Sequence, residues 1–184
     1  MQIWECHFDG LNHYSVLVHV ADGLNFRETF TANGQAKQWA VRPKVEPFIE
    51  KRKKTAKPRA DISYLSAGSL ILNQKAFDVL RDFLLPFGQL LELDCQGEIE
   101  YFYNVTNLIE CIDQSRSEKQ DGAIFTEVFL PGAIPDTPQI FKDPQTARIS
   151  IYINEAGKQQ FERLVADAGL LGARFVEAGQ GLLG

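Results

Sequence analysis

Cysteine is scarce in this chain of 184 residues: Cys6, Cys95 and Cys111 are the only three, an odd number without a close pair. A disulfide framework wants an even set at compact spacing and a zinc site wants more ligands nearby, so reduced structural thiols are expected. Long apolar runs are missing too. No stretch approaches the roughly 20 residues that cross a bilayer, and Met1-Gln2-Ile3-Trp4-Glu5 has neither the basic start nor the apolar core of a secretory leader. The expectation is a soluble cytoplasmic chain with no membrane partner. Basic residues are absent between Asp82 and Ser115, where seven acids occur. Histidine is confined to His7, His13 and His19. Strand-surface histidines are expected there, and no metal, because three or four ligands would have to converge.

What is present is ordinary in bulk and uneven in detail. With 45% hydrophobic and 23% charged residues, the length suits one domain with a real core. From Arg42 to Arg59 eight basic residues face only Glu46 and Glu50, a net of +6, so the remainder carries −11 of the total of −5. Four regions follow: a strand-rich stretch over 1–41, a basic exposed loop over 42–59, a core over 60–177 and a flexible tail over 178–184.

Patterning predicts an α+β fold, mostly antiparallel, with two main helices at about 74–85 and 155–168. Tyr14, Val16, Val18 and Val20 alternate as one strand face after a turn at Asp9-Gly10. Leu24 to Thr31 reads as a further strand between Asp22-Gly23 and Asn33-Gly34. Pro43, Pro47 and Pro58 exclude a central strand from the basic segment. Asn73 and Asn154 are helix caps, and Pro86 and Gly169 are stops. Leu90–Asp94 and Glu98–Asn104 form a hairpin across Cys95-Gln96-Gly97. Leu108–Ile112, Ile124–Leu130, Arg148–Ile153 and Leu171–Val176 are the remaining strands.

Chemistry-bearing motifs are thin. Gly179-Gln180-Gly181-Leu182-Leu183-Gly184 matches G-x-G-x-x-G in letters but opens no helix. Ser63, Ser66 and Ser69 lack a nucleophile elbow, and a serine–histidine device would have to recruit the N-terminal histidines across the fold. Glu98 and Glu100 share a strand face and read as a solvent-facing acidic stripe. The basic run has one aromatic, Phe48, for base stacking, and the rest of the chain repels a polyanion, so a solvated loop is expected before a nucleic-acid site.

An ordered set of short motifs then carries a resemblance. Pro58-Arg59-Ala60-Asp61-Ile62-Ser63-Tyr64, the helix after Asn73, the acidic hairpin, Tyr101-Phe102-Tyr103-Asn104-Val105, Cys111-Ile112-Asp113-Gln114-Ser115, Ile140-Phe141-Lys142 and Leu170-Leu171-Gly172-Ala173-Arg174-Phe175 resemble the bacterial immunity protein eleven family. The resemblance spans roughly Pro58 to Glu177. It implies an antitoxin of polymorphic toxin or type VI secretion systems, with a cognate effector as partner, no cofactor, no metal and no enzymatic activity. Pro58, Asp61, Tyr64, Tyr103, Asn104, Asp113, Ser115, Phe141, Gly172 and Phe175 are expected to make the fold. Glu98, Glu100, Glu110 and Asp113 are the expected partner-binding surface, with Glu92 and Asp94 behind them. The alternatives are a small enzyme that reverses a toxin's modification and a nucleic-acid-binding module led by Lys51 to Lys57.

Overall fold

The computed structural model describes residues 2–10, 13–21 and 23–179. Within them the chain forms an α+β fold of three helices and twelve strands, in which only one strand pairing is parallel. The expected hairpin is the backbone of the larger sheet. β6 (Gly88–Cys95) and β7 (Glu98–Val105) pair antiparallel along their full lengths, from Gly88 opposite Val105 to Cys95 opposite Glu98. Gln96 and Gly97 make the reversal with φ of 58° and 94°, the left-handed pair that a two-residue hairpin turn needs.

Around this hairpin stand β2 (Leu17–His19), β3 (Lys44–Pro47), β4 (Ile62–Ser63) and β5 (Leu70–Leu72), in the order β2-β3-β6-β7-β5-β4. β3 corrects the expectation of a wholly exposed loop. It lies between β2 and β6, with Val45 buried. The prolines permit this because they sit at its ends: Pro43 supplies a carbonyl to Asp94 N, and Pro47 is the last paired residue. β2 is shorter than the alternation suggests and buries the other face, with Ser15 and Leu17 inside.

The second sheet is built from β1 (Ile3–Phe8), β10 (Ile140–Phe141), β11 (Tyr152–Asn154) and β12 (Ala173–Glu177), in the order β10-β11-β1-β12. The turn at Gly10 is real, since His13 N and Tyr14 N both donate to its carbonyl, yet β1 does not pair with β2. It pairs with β11 and β12 from the far end of the chain. The strand expected over Arg148–Ile153 begins only at Tyr152, because turns occupy the residues before it. A small hairpin of β8 (Glu118–Gln120) and β9 (Ala123–Thr126) turns at Asp121-Gly122, so that the strand expected over Ile124–Leu130 ends at Thr126 and gains a partner in the polar run before it. Leu108 and Ile112 make only single bridges.

α2 (Gln74–Leu84) starts where the Asn73 side chain accepts Ala76 N at 2.9 Å, and it buries Ala76, Leu80, Phe83 and Leu84. α3 (Glu155–Ala168) starts where Asn154 accepts Gly157 N at 2.8 Å and stops at Gly169, φ 58°. The supposed strand over Leu24–Thr31 is instead a short helix, α1 (Phe26–Phe30), capped by the Asn25 side chain. Local capping outweighs the apolar alternation there.

Three cores result. The main one lies between the sheets and takes in both long helices, with Leu80, Tyr103, Ile153 and Phe161. An outer core on the six-stranded sheet joins Leu17, Phe30, Val45, Leu93 and Phe102 beneath residues 24–41. A second outer core sets Ile3, Phe141 and Tyr152 under residues 109–134. β7 is therefore buried on both faces. Of the expected tail, Ala178 N still donates to Ile3 O, and residues 180–184 lie outside the described part, as does Asp22 of the expected Asp22-Gly23 turn.

Candidate functional site

The four expected partner-binding acids differ in exposure. Glu98 opens β7 and is exposed. Glu100, two residues on, is 8% exposed, so the acidic stripe is overturned at its second member. Its strand face leads into the outer core of Phe102, and its carboxylate meets Arg59, whose Nε lies 3.3 Å from Oε1 and whose Nη2 binds Oε2. Burial pushes the Glu100 carboxyl above its ordinary value, with the Arg59 charge working against that rise. Burial and the neighbouring Glu100 also push the Cys95 thiol up to about 11, which makes it a poor nucleophile.

Asp113 is occupied as well. Its Oδ1 accepts Ser115 N at 3.0 Å and Ser115 Oγ at 2.6 Å, and its Oδ2 accepts Arg116 Nε at 2.6 Å. Those hydrogen bonds hold the carboxyl well below the usual range. Glu110 stays exposed. Glu92 pairs with Arg42, and Asp94 accepts Gly97 N at 2.8 Å.

The remaining motif residues hold the frame. Pro58 O accepts Ser15 N at 2.9 Å. Asp61 ties three segments, taking Asn73 Nδ2 and Leu171 N, both at 2.9 Å, and Lys75 Nζ at 3.4 Å. Tyr64 stands 36% exposed at a cleft rim. Tyr103 is buried and donates its hydroxyl to Leu84 O at 3.1 Å. Buried Asn104 donates to Gln35 O at 2.8 Å, which fastens the outer cover to β7. Phe141 is wholly buried, and Phe175 meets the Phe161 ring edge-on at 5.3 Å. Gly172 has φ 104°, and a Cβ there would fall 2.0 Å from Ile62 O, so both backbone angle and space demand glycine.

Two constellations were not foreseen. The first lies along β1, where two hollows of about 60 and 130 Å³ share Glu5, His7, Ile149 and Ser150 in their linings. His7 Nε2 lies 2.8 Å from Glu5 Oε2. Burial works to raise the Glu5 carboxyl, but hydrogen bonds with His7 and Ser150 hold it below its ordinary value. The histidines separate between the two sheets: His7 is on β1, and His19 on β2 packs against the Phe30 ring at 5.3 Å. Among the described residues no three His, Cys, Asp or Glu side chains stand close enough to hold a metal ion.

The second is Lys142, wholly buried without a carboxylate at its head. Its Nζ donates to Ala32 O at 2.6 Å, Gly68 O at 2.7 Å and Ala147 O at 2.6 Å, one acceptor for each ammonium proton. Burial pulls its pKa down to about 7. Gly68, φ 70°, leaves the room, since a Cβ there would stand 2.7 Å from Nζ. Two of its three acceptors come from distant segments, Ala32 and Gly68, and only Ala147 lies near it along the chain, so little in the local sequence signals this site.

The densest run of exposed cations lies on the loop after β3. Lys51, Arg52, Lys53 and Lys54 are all exposed, and none forms an ion pair with a described residue. Phe48 and Ile49 beside them are 46% and 48% exposed. No known family model matches the chain, and no curated protein matches it. No described helix is long and apolar enough to cross a membrane.

Proposed function

We propose that the chain is an immunity protein of the kind its motifs resemble, a binder that neutralises one secreted bacterial effector by stoichiometric occlusion. The observation that carries this reading is the division of charge. The acids that the fold brings beside cations are spent on holding segments together, as in Glu100 with Arg59 and Asp113 with Arg116. Four successive cations with no ion pair to a described residue, Lys51 to Lys54, stand together on one exposed loop beside exposed apolar side chains, whereas others such as Lys119, Arg163 and Arg174 are scattered. That arrangement suits contact with a partner surface, where charge steers encounter and apolar area adds affinity.

The test is titration of protection. The adjacent-gene product, expressed as a toxin, should be neutralised only as the ratio of this chain to toxin approaches one, and the two should co-purify. Full protection by far fewer copies than toxin molecules would replace occlusion by turnover.

A further inference from the structure

The loop between Phe48 and Pro58 leaves and re-enters the fold through a single neck. Phe48 N donates to Val16 O at 2.8 Å, and Phe48 O accepts the Ser15 hydroxyl at 2.8 Å. Ser15 N donates to Pro58 O at 2.9 Å, so one buried serine clamps both strands of the loop. Directly beneath, Arg59 Nη1 reaches Ser15 O at 3.0 Å while the rest of the guanidinium holds buried Glu100. Glu50 pairs with Lys57 across the loop, and Lys53 N donates to Glu50 O at 2.9 Å to close the turn at its tip. Arg52 occupies that turn with φ 71°, a left-handed angle that a side chain other than glycine's disfavours.

Resting on the occlusion reading, we propose that this clamped loop is the docking element and that the partner brings an acidic protein surface to it. Four successive cations repel one another with only Glu50, already paired to Lys57, offsetting the charge near Lys53, and a set of carboxylates on a partner relieves that repulsion. A loop already closed at its base loses little freedom on docking. The order of side chains favours a protein over the two other polyanions. A membrane would take the apolar residues first, yet Phe48 is held at the neck and the cations lead. A nucleic acid would want stacking rings and a continued track of cations, and here one ring stands beside a chain that carries −11 outside the basic segment. The acid-to-basic polarity is thus reversed from the expected one: this chain brings the cations and the effector brings the acids.

The experiment uses the whole chain with three probes at low and at physiological salt: a soluble glutamate–tyrosine copolymer, single- and double-stranded oligodeoxynucleotides, and phosphatidylserine-containing vesicles. The copolymer should bind about tenfold more tightly than either oligonucleotide or the vesicles, with affinity falling as salt rises. The variant carrying Lys51→Glu, Arg52→Glu, Lys53→Glu and Lys54→Glu should bind it at least about tenfold more weakly with an unchanged melting temperature. Phe48→Ser with Ile49→Ser should cost about fivefold, most visibly at the higher salt. No binding to the copolymer, binding indifferent to the charge reversal, or tighter binding to nucleic acid or vesicles would overturn the proposal. Neutralisation of the toxin by the charge-reversed variant at an unchanged ratio would sink this docking surface and leave the occlusion reading in place.

Discussion

The six-stranded and four-stranded sheets each turn an apolar face outward that no long helix covers, and the chain covers the two faces by different means. Over the six-stranded sheet the cover at 24–41 is held by rings. Phe30 stands 5.8 Å from Trp39 and 6.0 Å from Phe102, and Trp39 stands 5.6 Å from Phe102. Neutral amides finish the attachment, with Lys37 N donating to Gln89 Oε1 at 2.8 Å. Over the four-stranded sheet the cover at 109–134 is held by carboxylates. Asp143, itself buried, accepts Cys111 N at 2.8 Å and Ile112 N at 2.9 Å, and Glu127 accepts the Tyr152 hydroxyl at 2.8 Å. Irregular chain can therefore seal a sheet either by packing area or by buried acceptors for its own N–H groups. The two seals should fail under different insults.

The largest effect is expected from Phe30→Ala, which removes the hub of the first seal and should cost about 3–5 kcal/mol in denaturant unfolding. Amide exchange should rise across 26–39 and stay unchanged across 109–134; equal rises in both would mean that the covers are one unit. Lys142→Met comes next. It strands three buried carbonyls and should cost about 2–3 kcal/mol near neutral pH. Because burial lowers this pKa to about 7 from an ordinary 10.5, the unfolded chain holds the proton between those values and the native state releases it. Stability should accordingly rise with pH over that window, and the methionine variant should lose that slope. A slope unchanged in the variant would assign it to another group.

Asp143→Asn should cost about 1–3 kcal/mol and raise exchange at 111–112 while leaving 26–39 protected. Asn25→Ala should cost about 1 kcal/mol and loosen only the first turn of α1. The smallest effect concerns Asp113, whose pKa is held below its ordinary 3.8 by Ser115 and Arg116. Its contacts are complete above that pH and weaken as pH falls beneath it, so exchange at 115–117 should rise in acid. Asp113→Asn should abolish that acid dependence.

What was legible in the sequence was what neighbours along the chain decide. Asn73, Asn154 and Gly169 mark the ends of α2 and α3, and Gln96-Gly97 marks the long hairpin. Asn25 and Asp121-Gly122 carry the same kind of local signal for α1 and the β8–β9 hairpin. Pairing across the chain was not legible, since β1 takes partners from beyond residue 150. The burial of Glu100 was not legible for the same reason. Glu98 and Glu100 look alike by spacing, but Arg59 reaches only the second. The apolar run Tyr101-Phe102-Tyr103 did signal a strand buried on both faces, which leaves little room for a wetted stripe.

Lys142 has a consequence for following this molecule in solution. It is the one fully buried side chain among the ten lysines, so an acylating reagent added to the native protein should mark the other amines and leave this one untouched. A mass shift on the peptide that contains it would then count only molecules that had opened during the exposure, which makes a single native amine an internal clock for global unfolding.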